Sequence, residues 1–563
     1  MTKLKLIIGQ WLANVTRKLR NNFYLYLAVL LTALILLDAS VFHIGENMRD
    51  KAFDLMVKNR IIKPQADPDI VIVDVNEASL AAMAGDYGRW PWPRQVFGEF
   101  VENIEAQKPK AIVFDILFSD ADVYNPDSDT YFNEVIKNTS NTYFPFLRLP
   151  EEQDKLSKVK ASMIPGLKTD PASEVNADTT IAVVLPHFDA ILNSKRLGTH
   201  NIDPDKDGIA REYKLWRTTG GWQIPALPLV VGQPLQTNNI NLPQDMLINW
   251  RGAPFTYHFV SFSDVMTDMS NKVKKRPQDE FKDKIVIIGS TAPSLFDLKA
   301  TPMAKIHPGV EILATAIDNV KHGDFLYVLR GVSSYILMSL LFIWLTTAAF
   351  YFNMDRDRFT KLFSTSQIGL LVLSYIGINL THTYLDFTGP ITWAVGYFSV
   401  AKIYAMATDL ALQRYLAFGV KSGEKSSLAL IMPILIESDE PLNDATLKKI
   451  KRNIELLSKT PNNIEFIRGT QSGIWGLFGD MLVVTWTYSD AKTDYSQAAN
   501  EDAMQLSTQF TKIVTNSGLP INTQIRYTQH EGLLNAEHSL ARQWRNLFAQ
   551  AVIKLENDIK PSL

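Results

Sequence analysis

The stretch IVIVDVNEASLAAMAGDYGRWPWPRQVFGEFVENIEAQKPKAIVFDILF, residues 70–118, decides how the chain is read. Its opening run ends in Asp74, Asn76 and Glu77, and the closing run, AIVFDILFSD, carries Asp115 and Asp120. Both runs are nearly unbroken in Val, Ile and Phe, the pattern of strands buried on two faces rather than one. Between them Val96, Phe97, Phe100, Val101 and Ile104 recur at helical spacing and give a helix one apolar face. Strand, turn, helix and strand make a βαβ unit, parallel and right-handed. It is expected to set Asp115 beside Asp74 at the carboxyl ends of the strands, where open α/β sheets place their sites. The intervening GDYGRWPWPR (residues 85–94) ends in a stiff arm, RWPWPR, because Pro91 and Pro93 fix their own φ and bias the tryptophans before them to extended geometry. The arm should lay Trp90 and Trp92 over the sheet edge.

Outward from this unit, 563 residues exceed one core, and two or three domains are expected. With 57 basic against 59 acidic residues, nothing points to a nucleic-acid partner. The absence of cysteine excludes disulfides, thiolate catalysis and zinc sites of the thiolate kind. Residues 1–22 are basic without an acid, and 23–42 are apolar over the length that crosses a bilayer. A cleaved signal peptide is the alternative, but no small-x-small site follows, so a retained anchor is expected. Three further windows, 331–352, 364–385 and 390–411, have similar length, the last interrupted by Lys402 and Asp409. The loop with Arg356, Arg358 and Lys361 contrasts with the base-free DFTGP loop, and this asymmetry puts both termini in the cytoplasm. Arg330 is a small contrary signal. The expected fold is therefore a multi-pass inner-membrane protein: an α/β extracytoplasmic domain (43–328), four transmembrane helices, a linker (412–427) and an α+β, ferredoxin-like cytoplasmic domain (428–563). Residues 120–180, rich in Asp, Asn, Ser, Thr and Lys, are expected to be insertions around the sheet.

Asp74, Arg89, Trp90, Trp92, Arg94 and Asp115 form the candidate ligand-binding set, with Glu77 and Asp120 beside it. The competing reading has the acids capping helices or pairing with Arg89 and Arg94, and the tryptophans acting as packing anchors. DPDKDG (203–208) mimics the opening of a calcium loop, yet Lys214 stands where a bidentate Glu is needed, so a structural turn is expected. Nine histidines show no metal-ligand spacing, and no metal is expected.

VDVNEASL, RWPWPR and FDILFSD resemble blocks of the second CHASE family, extracellular sensors associated with cyclases and histidine kinases. GTHNIDPDKDGIAR (198–211), INWRG (248–252), KDKIVIIGSTAPSLFD (282–297) and TPMAKIHPGVEILATAIDN (301–319) continue the resemblance in order, over residues 52–327. It implies a bacterial-type receptor with an extracytoplasmic ligand. The C-terminal region resembles a degenerate class III nucleotidyl cyclase domain. FGDMLVVTW places Asp480 at the family's second metal-binding aspartate, and RNLFAQA places Asn546 at its catalytic Asn. Gln550, however, stands where the family has Arg, and the opening strand LALIMPILIES supplies no carboxylate before Glu437. A single carboxylate does not hold two metals, so the expected output has no catalytic residues and no cofactor; it binds a cytoplasmic protein partner, as a homodimer. The alternative is an active cyclase using Mg or Mn with ATP or GTP, and a third reading is an envelope scaffold.

Overall fold

The computed structural model describes residues 23–170, 173–236, 240–328, 332–351, 356–416, 426–437, 444–458, 462–467, 481–489, 493–516, 524–535 and 540–557. They fall into two compact units, one of His43–Tyr335 with Phe363–Gly389, the other of Met1–Phe42, Ile336–Leu362 and Pro390–Leu563. Helix α1 (Phe23–Leu37), in the latter, has no polar face and ends in a π turn, Asp38–Phe42.

In the former, α2 (Ile44–Lys58) leads to β1 (Ile70–Asp74). The Asn76 side chain accepts a bond from Ser79 N at 2.8 Å and caps α3 (Glu77–Tyr87), so the segment expected to be a turn is helical before the arm begins. Helix α4 (Arg94–Glu105) buries all five positions picked out by their spacing. There follow β2 (Ala111–Phe114), α5 (Pro126–Lys137), β3 (Thr142–Arg148), β4 (Val183–Val184), α6 (Asp189–Ser194), β5 (Leu197–Thr199) and β6 (Glu212–Lys214). The unit continues through α7 (Leu227–Gly232), β7 (Asp245–Leu247), β8 (His258–Ser261), α8 (Phe262–Ser270), β9 (Ile285–Gly289) and α9 (Gly309–His322).

The sheet runs β8-β1-β9-β2-β3-β4, with β5 also on β3, and only the β3–β4 pair is antiparallel. Two expectations are corrected here. Strands β1 and β2 are not neighbours, because β9 pairs with both and lies between them. Its sequence IVIIG is fully buried and takes a central place, which the crossover from β1 to β2 skips. Residues 120–180 are not all insertions either: α5 turns Phe132, Val135 and Ile136 into the core, and β3 pairs in parallel with β2. Helices α4, α5, α6 and α8 cover one face through Phe97, Phe100, Phe132, Ile191 and Phe262. Helices α7 and α9 cover the other through Leu227, Val231, Val310, Leu313 and Ile317. A further cluster joins Phe53 and Val57 of α2 to Tyr213, Trp250, Phe325, Ile378 and Tyr384.

After β10 (Tyr327–Val328) come α10 (Val332–Tyr351), α11 (Arg356–Leu380), β11 (Thr383–Tyr384) and α12 (Thr388–Leu416). Among the described residues, Phe23–Phe42, Ser334–Tyr351 and Arg358–Leu380 are long and apolar enough to cross a membrane. The window expected at 364–385 is shifted: α11 stops at Leu380, and β11 pairs with β10. His382 takes the left-handed conformation (φ 53°) just past the last turn, and Asn379 Oδ1 accepts from the backbone of Ile61 and Ile62, just past α2. The window 390–411 falls inside α12, whose Lys402 lies 5.5 Å over the Phe398 ring.

The C-terminal part runs β12 (Ser426–Glu437), α13 (Asp444–Leu457), β13 (Asn463–Ile467), β14 (Met481–Ser489), α14 (Thr493–Asn516), β15 (Gln524–Tyr527), β16 (His530–Asn535) and α15 (Leu540–Asn557). The antiparallel order β13-β14-β12-β15 is that of a βαββαβ, ferredoxin-like sheet. Helices α13 and α14 cover one face, Ile450, Ile454, Leu506 and Phe510 meeting Leu430, Met432 and Ile434. On the other face Trp544, Leu547 and Ala551 of α15 meet Ala429, Ile431 and Val483. Strands β15 and β16 pair with the same edge of β12, interrupted opposite Pro433, which has no N–H to donate. Gly532 is therefore a strand residue and not part of a turn, and a Cβ there would strike Leu547 of α15.

Candidate functional site

A cavity of about 580 Å³ opens at the carboxyl ends of β2 and β9, within the usual size of a small-molecule site. The arm reaches it: Trp90, Pro91 and Arg94 line one side, with Asp115 and Asp120 from the end of β2. Segments distant in sequence close it, through His200, Tyr213, Asp297 and Lys299.

Only part of the expected ligand set meets here. Trp90, Arg94 and Asp115 line the cavity, and Trp90 is half-buried. Trp92 is a core residue, 1% exposed, with its ring 5.4 Å from that of Phe262. Arg89 is exposed and does not line the cavity. Asp74 is separated from Asp115 by Gly289 of β9, and its carboxylate is taken by Thr291, whose N and Oγ1 donate at 2.8 and 2.6 Å. Burial nevertheless pushes the Asp74 carboxyl above its ordinary range. Glu77 accepts from Ser294 N at 3.0 Å, and Asp120 from Ser119 Oγ at 2.8 Å. Among the described residues no ion pair joins these acids to Arg89 or Arg94, so that expectation is also corrected. Arg94 instead donates to Trp92 O at 3.2 Å and lies 5.4 Å over the Phe118 ring.

The electrostatics of the cavity differ from those of every other acidic group nearby. His200 Nδ1 stands 3.5 Å from Asp115 and Lys299 Nζ 3.7 Å from Asp297, contacts longer than good hydrogen bonds. Burial, together with the neighbouring Asp115, pushes the Asp297 carboxyl up to about 6. The Tyr213 hydroxyl is buried and has no partner.

Beside the cavity, the DPDKDG run is a turn with Gly208 at φ 82°; its Asp205 and Asp207 face Arg211, while Asp203 pairs with Arg217 and Lys214. Arg211, 2% exposed, binds Asp205 and Asp207 at 2.7 Å and grips both oxygens of Asp54 on α2 at 2.8 and 2.7 Å. The blocks INWRG and AIDN also meet each other: Arg251 holds both oxygens of Asp318, at 2.9 and 2.6 Å, and of Asp324. Although burial alone would raise it, bonds from His322 and Arg251 hold the Asp318 carboxyl well below the usual range. Asp67, Asp318 and His322 lie close enough together for a cation, but Lys321 Nζ at 2.5 Å from Asp67 and Arg251 already neutralise them. In the C-terminal part, Asp480 lies outside the described residues; Glu437 ends β12, Asn546 is exposed on α15, and Gln550 Oε1 lies 2.9 Å from His530 Nε2.

Tyr213, His200, Asp297 and Lys299 were missing from the expected set. Two of them, His200 and Asp297, sit inside the quoted blocks GTHNIDPDKDGIAR and KDKIVIIGSTAPSLFD, which is the signal that could have found them.

The chain thus carries an apolar helix long enough to cross a bilayer and, after it in sequence, a mostly parallel α/β sheet with a cavity at its carboxyl ends, the place where such sheets usually hold their sites. The CHASE2 domain matches residues 27–350, more than half of the chain, which belongs to that family of extracellular sensor domains. No curated protein and no solved structure matches the chain.

Proposed function

We propose that the protein is a bacterial-type transmembrane signalling receptor of the inner membrane. Residues 43–328 face the periplasm and four helices cross the bilayer. A small molecule in the cavity is the stimulus, and the ferredoxin-like domain is a cyclase-like output without chemistry of its own, acting as a homodimer on a cytoplasmic protein partner. The observation that carries the reading is the cavity itself, lined by a tyrosine whose buried hydroxyl has no partner, with Arg211 two residues earlier tied to α2. Support for a non-catalytic output comes from Gln550, which bonds His530 and brings no positive charge where a cyclase would stabilise its transition state.

Reporter fusions after residue 200 and after Val420 test the topology. Activity of a periplasmic reporter at residue 200 and of a cytoplasmic one at Val420 is expected; the opposite result at Val420 overturns the four-span arrangement. The output is tested by incubating the full chain with ATP or GTP and manganese. Cyclic product that disappears on Asp480→Ala establishes the active cyclase instead.

A further inference from the structure

The acids of this unit fall into two groups. Asp74, Asp54 and Asp318 are saturated by donors at 2.6–2.9 Å. Asp115 and Asp297 are not: His200 Nδ1 stands 3.5 Å from the first and Lys299 Nζ 3.7 Å from the second, and both acids line the same cavity. Two carboxylates with spare acceptor capacity, set near each other in one cavity, repel one another until a positive donor arrives. Tyr213, a lining residue of the same cavity and 1% exposed, has a hydroxyl without a partner. A buried hydroxyl left without a bond costs about 1–3 kcal/mol, a cost a ligand atom would remove. The half-buried Trp90 supplies an aromatic wall, of the kind that attracts ammonium groups to its face.

Resting on the receptor reading, we propose that the cavity takes an organic primary amine. Its ammonium group is received by Asp115 and Asp297 with the Tyr213 hydroxyl, and its apolar body lies against Trp90. A bare metal ion fits less well, because Asp115, Asp297 and His200 do not bring their ligand atoms within 4.8 Å of one another, unlike the Asp67 group. An ammonium group on a carbon stem carries three donors, one for each carboxylate and one for the hydroxyl. Arg94, also in the lining, carries a guanidinium that suits a hydrogen-bond acceptor elsewhere on the ligand.

The test uses probes of one shape and three charges: phenethylamine, 2-phenylethanol and phenylacetate, titrated calorimetrically into the full chain in lipid nanodiscs, with phenylalanine as a fourth arm. Phenethylamine should bind at least tenfold more tightly than the neutral and anionic probes, and Asp115→Asn should abolish the preference. Tyr213→Phe, which keeps the ring packing, should weaken the amine several-fold and guards against a misfolded Asn variant. Tighter binding of phenylalanine than of phenethylamine keeps the amine site and adds an acceptor at Arg94. Equal or tighter binding of phenylacetate or 2-phenylethanol overturns the amine assignment while leaving a ligand cavity, and so the receptor, in place. No binding by any probe at millimolar concentration overturns the assignment too. The receptor reading falls separately, on reporter fusions that put residue 200 in the cytoplasm.

Discussion

Replacing the two tryptophans of the arm one at a time separates packing from binding. Trp92 is 1% exposed among Phe97 and Phe262, whereas Trp90 is half-buried and lines the cavity. A buried tryptophan removes about 150–250 Å² from water, which at about 25 cal/mol per Å² is worth about 4–6 kcal/mol. Alanine keeps the Cβ, and large-to-small changes of this kind cost about 3–5 kcal/mol. For a unit of about 320 residues the unfolding entropy is about 0.7 kcal/mol/K, so Trp92→Ala should lower Tm by about 6 °C. Trp92→Phe should cost about 1 kcal/mol, because it refills most of the space and discards an indole N–H that has no partner. Trp90→Ala should cost about 1–2 kcal/mol and, unlike Trp92→Phe, weaken phenethylamine binding. Differential scanning calorimetry of the full chain in nanodiscs, with titrations on the same samples, measures both. If Trp90→Ala lowers Tm as far as Trp92→Ala and leaves amine affinity unchanged, both rings are packing anchors and the cavity wall has been misread.

Arg251→Met should destabilise the sensor unit by about 3–5 kcal/mol, since it strands the buried Asp318 carboxylate, and Asp318→Leu on top should recover part of it. Asp318 has a depressed carboxyl, so its contribution is present above its unfolded pKa of about 3.9 and lost as pH falls further; the gap between Arg251→Met and the parent should narrow in denaturant titrations below that pH. Phenethylamine should bind more tightly at pH 7.5 than at pH 5.5 by calorimetry, because Asp297, raised to about 6, gains its negative charge as pH rises through that value. Asp54→Asn should cost only about 1.5–3 kcal/mol, since Asp205 and Asp207 still pair with Arg211; in hydrogen-exchange measurements α2 should then stop responding to bound amine.

The sheet and its helix were legible because their residues carry their own instructions. The five apolar positions of α4 are all buried, and the unbroken runs are strands closed on both faces. What could not be read was which strand lies between them. IVIIG, 215 residues beyond IVIVD in the chain, announces a buried strand but not its neighbours, and pairing order is decided by crossovers and helix layers rather than by composition. The candidate site divided for the same reason. Trp90 and Trp92 differ by two positions and share a motif, yet α4 and α8 close over one and not the other. Asp74 and Asp115 look equivalent as strand-end acids, and only the fold reveals that Thr291 satisfies the first and nothing comparable satisfies the second.

Strand β6 supplies the physical link between the cavity and the helix that follows α1 in the chain. Residues two apart on a strand share a face, so Arg211 and Tyr213 project from one side of one short backbone segment. Tyr213 lines the cavity and packs in the same cluster as Phe53 and Val57 of α2, while Arg211 holds Asp54 of α2 through two hydrogen bonds. A ligand that draws the Tyr213 hydroxyl toward itself has little slack to act against, because close-packed cores transmit small displacements instead of absorbing them. The displacement reaches α2 by two routes, side-chain packing and a bidentate ion pair. Residues 59–62, just beyond α2, are held in turn by Tyr375 and Asn379 of α11. Such a chain of contacts relays a signal only if ligand changes the balance between two arrangements of α2. Asp54→Asn is informative for that reason: it cuts one route and leaves the cavity and the fold intact.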